Sequence, residues 1–145
     1  MMDASMHRSA GFTLLEVLVS IVILSIGLLG MAGLMAVSLK SSTTAYHRSQ
    51  ATVLADDILD RMRSNLLAAR AGDYDVTIGG GCTSSGVPDA DCEEWKDTIA
   101  QTLPDGDGSV LVAAGTATIV IQWEAGVDEE GDGDTTTSFT TVSQL

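Results

Sequence analysis

The chain has 145 residues, 45% of them hydrophobic, yet its 7 Lys+Arg face 20 Asp+Glu for a formal net charge of −13. Residues 1–72 carry a net of +1, whereas residues 73–145 carry −14, with Lys96 alone against fifteen carboxylates. So acidic a half cannot neutralise phosphates, which argues against a nucleic-acid partner. Its strand-like apolar runs argue against disorder, and the length allows one globular domain at about 100–200 residues per domain.

The first element is a 23-residue uncharged run, Val17 to Leu39. At 1.5 Å per residue it spans about 34 Å, enough for a hydrocarbon core of about 30 Å. A secretory signal peptide is shorter and is followed by a small-residue cleavage site. Here the run is too long, and the small residues Ser9, Ala10 and Gly11 precede it. An anchored domain is the reading, not an ordinary soluble enzyme. Glu16, at the edge of the run, is the odd residue. An ionisable group in a membrane helix costs about 2.5–3.5 kcal/mol at the centre and less near an end, which marks it as functional by default. The alternative is a carboxylate that snorkels to the headgroups from a first turn where the helix dipole favours it. Gly27, Gly30 and Gly33 interrupt the helix and suit either close helix packing or local unwinding on transfer out of the bilayer.

Gly11-Phe12-Thr13-Leu14-Leu15-Glu16-Val17-Leu18, behind a short leader with His7 and Arg8, resembles the processing site of type IV prepilins and type II secretion pseudopilins. The resemblance implies that prepilin peptidase cuts after Gly11 and N-methylates Phe12. It implies that Glu16 then pairs with the Phe12 amine of a neighbouring subunit during assembly. It also implies an inner-membrane, single-pass protein with its C-terminal domain in the periplasm, assembled into a pilus with other minor and major pilins through the N-terminal helix. Orientation comes from the resemblance alone: Arg8 precedes the span and Lys40 and Arg48 follow it, so the positive-inside count does not supply it. The resulting division is a leader (1–11), a transmembrane and filament-core helix (12–40), an amphipathic continuation (41–72) and a periplasmic acidic β-rich domain (73–145).

From Thr44 to about Ala71 the chain reads as an amphipathic helix. Ala51, Ala55, Ile58, Met62, Leu66 and Ala69 recur at helical spacing, with Asp56, Asp57, Asp60, Arg61 and Arg63 opposite as a solvated face. Gly72 is the stop. Leu54 to Asn65 also resembles the corresponding helix of PilV-type minor pilins, as do Trp95-Lys96, Leu103-Pro104-Asp105-Gly106 and Ile119 to Trp123 further on.

Beyond Gly72 short strands are expected at Tyr74–Ile78, Val110–Ala114, Ala117–Trp123 and Thr136–Val142, with a hairpin turn at Gly115-Thr116. A short helix from Glu93 to Leu103 sets Trp95, Ile99 and Leu103 on one face, with Asp91 and Glu94 as its capping box. The fold class is α+β, pilin-like: a long N-terminal helix, membrane-spanning in its first half, packed on a small antiparallel sheet. Cys82 and Cys92, with nine residues between them in a Gly/Pro-containing loop, read as a disulfide outside the cytoplasm. Asp128, Glu130, Asp132 and Asp134 with Gly133 follow part of a calcium-loop pattern, but Phe139 stands where its bidentate Glu belongs. A solvated acidic loop is the plainer reading, and no metal or other cofactor is expected. With no Ser-His-Asp or Cys-His arrangement and no phosphate loop after Gly79-Gly80-Gly81, no catalysis is expected either. The closest competing function is a minor pseudopilin of type II secretion; one from another class is a membrane-anchored calcium-binding or adhesin module.

Overall fold

The computed structural model describes residues 12–126 and 135–145. Helix α1 runs Leu14–Ser64, and within it the chain divides into two compact units, residues 1–42 and 43–145.

In the first unit the helix has no core to rest on: every described residue is exposed. Leu, Ile, Val and Met point outward all round, which a helix tolerates only with an apolar solvent or with other helices about it. It continues unbroken through Gly27, Gly30 and Gly33, and a Cβ at any of them would meet nothing within 4 Å. No contact inside this chain requires glycine there.

The second unit folds around the apolar stripe of α1. Ala51, Leu54, Ala55, Ile58, Leu59 and Met62 are buried, and the stripe extends to Ala69, while Leu66 is half-exposed. The helix does not run straight to Gly72. Asn65, at φ −127° and ψ 55°, breaks it, and helix α2 (Leu66–Ala71) follows. Gly72, at φ 87°, closes α2: its N–H donates to Ala69 O and that of Asp73 to Ala68 O, both at 3.1 Å. That is a Schellman ending, which calls for a left-handed residue.

Helix α3 spans Val87–Thr102, one and a half turns more than expected at its start. Pro88 lies in the first helical turn and not in the loop expected between the cysteines. Proline in a first helical turn loses no hydrogen bond, because that N–H has no helical partner. The capping box is corrected with it: Gly86 is the N-cap, and Asp91 and Glu94 lie inside the helix. Strands β1 (Asp107–Ala113), β2 (Thr116–Glu124) and β3 (Thr136–Gln144) form an antiparallel sheet in the order β1-β2-β3. Tyr74–Ile78 contributes only a bridge, Val76↔Val110, with both hydrogen bonds at 2.9 Å.

On β2, Ala117, Ile119, Ile121 and Trp123 face the core in strict alternation. They join Trp95, Ile99 and Leu103 of the α3 segment and the α1 stripe in one cluster. The fold is therefore the expected α+β arrangement of a long apolar helix packed with a three-stranded antiparallel sheet. Trp95 is fully buried, and its Nε1–H donates to Leu54 O at 2.8 Å, fixing α3 against α1. The turn joining β1 and β2 sits one residue earlier than expected, at Ala114-Gly115, with φ 51° and 77°. Two positive φ values make it a type I′ turn, which matches strand twist but strains an alanine. An L-residue in this region is disfavoured by about 1–2 kcal/mol, less for asparagine. Ala114→Asn is therefore expected to stabilise the unit by about 0.5–1 kcal/mol, seen as a higher denaturant midpoint at unchanged m value.

Candidate functional site

The segment singled out by sequence begins the helix. Phe12 is 82% exposed. Thr13 caps α1: the Glu16 N–H lies 3.3 Å from its Oγ1 and 3.0 Å from its carbonyl oxygen. Thr13-x-x-Glu16 has the capping-box spacing, a signal readable from sequence. Glu16 thus stands at the third helical position, in the turn where the dipole favours a carboxylate. Around it lie exposed Leu14, Leu15, Val17 and Leu18. A carboxylate among exposed apolar side chains, one turn beyond Phe12, can bind a cation brought by another molecule. Gly11 lies outside the described residues.

α1 is long and apolar enough to cross a membrane. Ser20 and Ser25 remain compatible with that, because each hydroxyl donates to the carbonyl four residues earlier, Glu16 O and Ile21 O, both at 2.7 Å.

In the second unit the two cysteines are joined: Cys82 of the loop is bonded to Cys92 of α3. The bond ties the loop to a helix, not to another loop position. Arg61, read as part of a solvated face, is instead a junction. Its guanidinium bonds Asp57 (3.0 Å) along α1, and Asp91 (3.3 Å) and Glu94 (2.9 Å) on α3. The Glu94 hydrogen bond and the surrounding carboxylates raise the arginine pKa despite its partial desolvation, and Arg61 in turn lowers that of exposed Glu94. Asp91 also accepts from the Tyr74 hydroxyl at 2.8 Å.

Burial first, and the Asp91 carboxylate second, push the Tyr74 pKa up to about 12 from 10.0. The folded state thus holds this proton more tightly than the unfolded chain. The stability it contributes is complete below pH 10 and is lost as pH rises to about 12. Denaturation midpoints of the native chain are expected to fall across that window, and Tyr74→Phe to flatten the fall.

Lys96, the only base of the acidic half, is held by Asp107 Oδ1 at 2.8 Å and donates to Gly80 O at 2.6 Å and Thr77 O at 3.3 Å. Burial disfavours the charge of Asp107, but Lys96 and the N–H groups of Gly79 and Gly108 outweigh it, and the carboxyl pKa is lowered. These contacts pin the 77–81 loop to the start of β1. Among the described residues no group of three or more His, Cys, Asp or Glu is placed to hold a metal. The calcium candidates Asp128, Glu130, Asp132 and Asp134 lie outside the described residues.

Residues 6–32 match the prokaryotic N-terminal methylation motif. No curated protein and no solved structure matches the chain. The matched stretch contains Gly11, Phe12 and Glu16 and ends within the exposed apolar part of α1.

Proposed function

We propose that this chain, whose residues 6–32 match the prokaryotic N-terminal methylation motif, is a structural subunit processed at that motif, a minor pilin of the PilV type. The observation that carries the reading is the motif joined to a helix whose apolar residues are exposed on every side from Phe12 to Leu39. Prepilin peptidase cuts after Gly11 and methylates Phe12. The subunit waits in the inner membrane with residues 43–145 in the periplasm, then enters a pilus or priming complex through its helix.

Glu16 gives that transfer a direction and a register. In the bilayer its carboxylate is tolerated near the helix end. Among packed helices it is sequestered, and a buried charge is stable only when paired. The cation of matching origin is the Phe12 amine that cleavage creates on a neighbouring subunit. The pair therefore forms only between processed chains at one axial offset.

The intact mass and N-terminal sequence of the protein from native membranes test this. A chain starting at methylated Phe12 is expected; a start elsewhere overturns the reading. The PilV assignment rests on Leu54–Asn65, Trp95-Lys96 and Ile119–Trp123. The motif serves equally a minor pseudopilin of type II secretion, the second reading. Deletion of the gene is expected to abolish twitching and to leave protein secretion intact; the reverse pattern selects the pseudopilin.

A further inference from the structure

The two edges of the sheet differ in chemistry. The Val76–Val110 bridge fixes which groups of β1 face outward: those of Gly108, Val110 and Val112. Each of these three N–H groups is occupied. Asp107 Oδ1 takes that of Gly108 at 2.7 Å, Val76 O that of Val110 at 2.9 Å, and Asp75 Oδ1 that of Val112 at 2.8 Å. Two carboxylates and one bridge leave β1 no outward donor for another strand.

On β3 the alternation is fixed by Ala125 N–H to Thr135 O at 2.8 Å and Leu145 N–H to Gly115 O at 3.0 Å. In the unbroken register Thr116↔Gln144 to Glu124↔Thr136, the odd-numbered residues of β3 bond β2. The N–H and C=O groups of Ser138, Thr140, Val142 and Gln144 therefore face outward. No strand lies beyond them among the described residues. Nor does β3 carry the usual shields of an edge: it has no proline, no lysine and no bulge. Thr135 to Leu145 also has no charged residue, in a half of net charge −14. A partner can approach here without desolvating a carboxylate on this strand.

We propose that the outer edge of β3 accepts an edge strand from a different co-assembled subunit of the same processed class. The proposal rests on the reading of the chain as an assembling subunit. A second copy is the wrong occupant for two reasons. Its β1 edge is filled, so β3-to-β1 addition cannot propagate. Antiparallel β3-to-β3 pairing needs a two-fold axis normal to the sheet, which runs the two copies of residues 43–64 in opposite directions. Subunits drawn from one membrane share a direction. Parallel β3-to-β3 pairing sets the core face of one sheet beside the outer face of the other. Among the described residues the sheet is thus open on one side and closed on the other. Such a subunit ends a lateral row of sheets, which suits a component present in few copies.

Site-specific photocrosslinking of the full chain in its native host tests the proposal. A photoreactive residue at Thr140 is expected to yield an adduct with another motif-bearing subunit, mapped by mass spectrometry to an edge strand of that subunit. The same probe at Leu111, on the outer face at the β1 side, is expected to yield none. Val142→Lys, which places an edge-shielding charge on β3, is expected to lower the Thr140 adduct about tenfold. Equal adducts at Thr140 and Leu111 would mean a face contact and overturn the edge proposal, as would self-adducts alone. A third probe at Leu24 reports assembly through the helix. Adducts at Leu24 without any at Thr140 sink the edge proposal and leave the assembly reading standing; absence of both sinks the assembly reading as well.

Discussion

Glu16→Ala is expected to leave the membrane-bound amount of the protein unchanged while its recovery in sheared filaments falls by about 100-fold or more. The two outcomes separate because the bilayer and the filament treat the carboxylate oppositely. Removing an ionisable group from an apolar helix makes insertion easier. Removing one member of a sequestered ion pair strands the other, at a cost of about 3–5 kcal/mol. In the single chain Glu16 has only local work, one position of a capped first turn with Thr13. Loss of a helix-terminal charge contributes about 0.3–1 kcal/mol, far too little to abolish incorporation. Immunoblots of membrane and filament fractions read both effects together. Equal incorporation of Glu16→Ala would reduce the residue to its capping role.

The second large effect belongs to the contact of Trp95 with Gly108. Trp95→Ala is expected to destabilise residues 43–145 by about 3–5 kcal/mol, the range for emptying a buried aromatic site. Gly108→Ala is expected to destabilise as well, by about 1–3 kcal/mol, because a Cβ there would clash with the edge of the Trp95 ring and with Ile99 Cδ1, 2.7 Å away. Both strains have the same neighbour, so the substitutions do not add. In the Trp95→Ala background the clash with the ring is gone and only the flexible end of Ile99 has to shift, so Gly108→Ala should cost less there. A double-mutant cycle by chemical denaturation measures this coupling. Additive losses would show that the glycine answers to strand geometry and not to the indole.

Sequence made the local periodicities legible and hid what distant residues decide. The α1 stripe, the alternation of β2, strand β3 and the Cys82–Cys92 bond all follow from spacing and composition. The role of Arg61 does not, because its partners Asp91 and Glu94 lie about thirty residues away and belong to another helix. The same two carboxylates, seen locally, imitate a capping box. Tyr74–Ile78 has the alternation of a strand, yet the Asp75 side chain takes the Val112 N–H that a further backbone carbonyl would have taken, so pairing stops at one bridge. Ala114 gave no sign of its positive φ, since the turn's twist requirement overrides an alanine's preference. Of the candidate site, the methylation motif is plain in the residues themselves. The apolar run of the helix is legible too; the residue at which the core takes over, Ala51, is fixed by packing against distant strands.

The enclosure of Lys96 has a consequence for how this half of the chain can be labelled. With that ammonium held by Asp107 and two carbonyls, the surface of residues 73–145 presents carboxylates and no other lysine. Amine-directed dyes and lysine-to-lysine linkers will pass over it. Carbodiimide coupling through its aspartates and glutamates will make it visible.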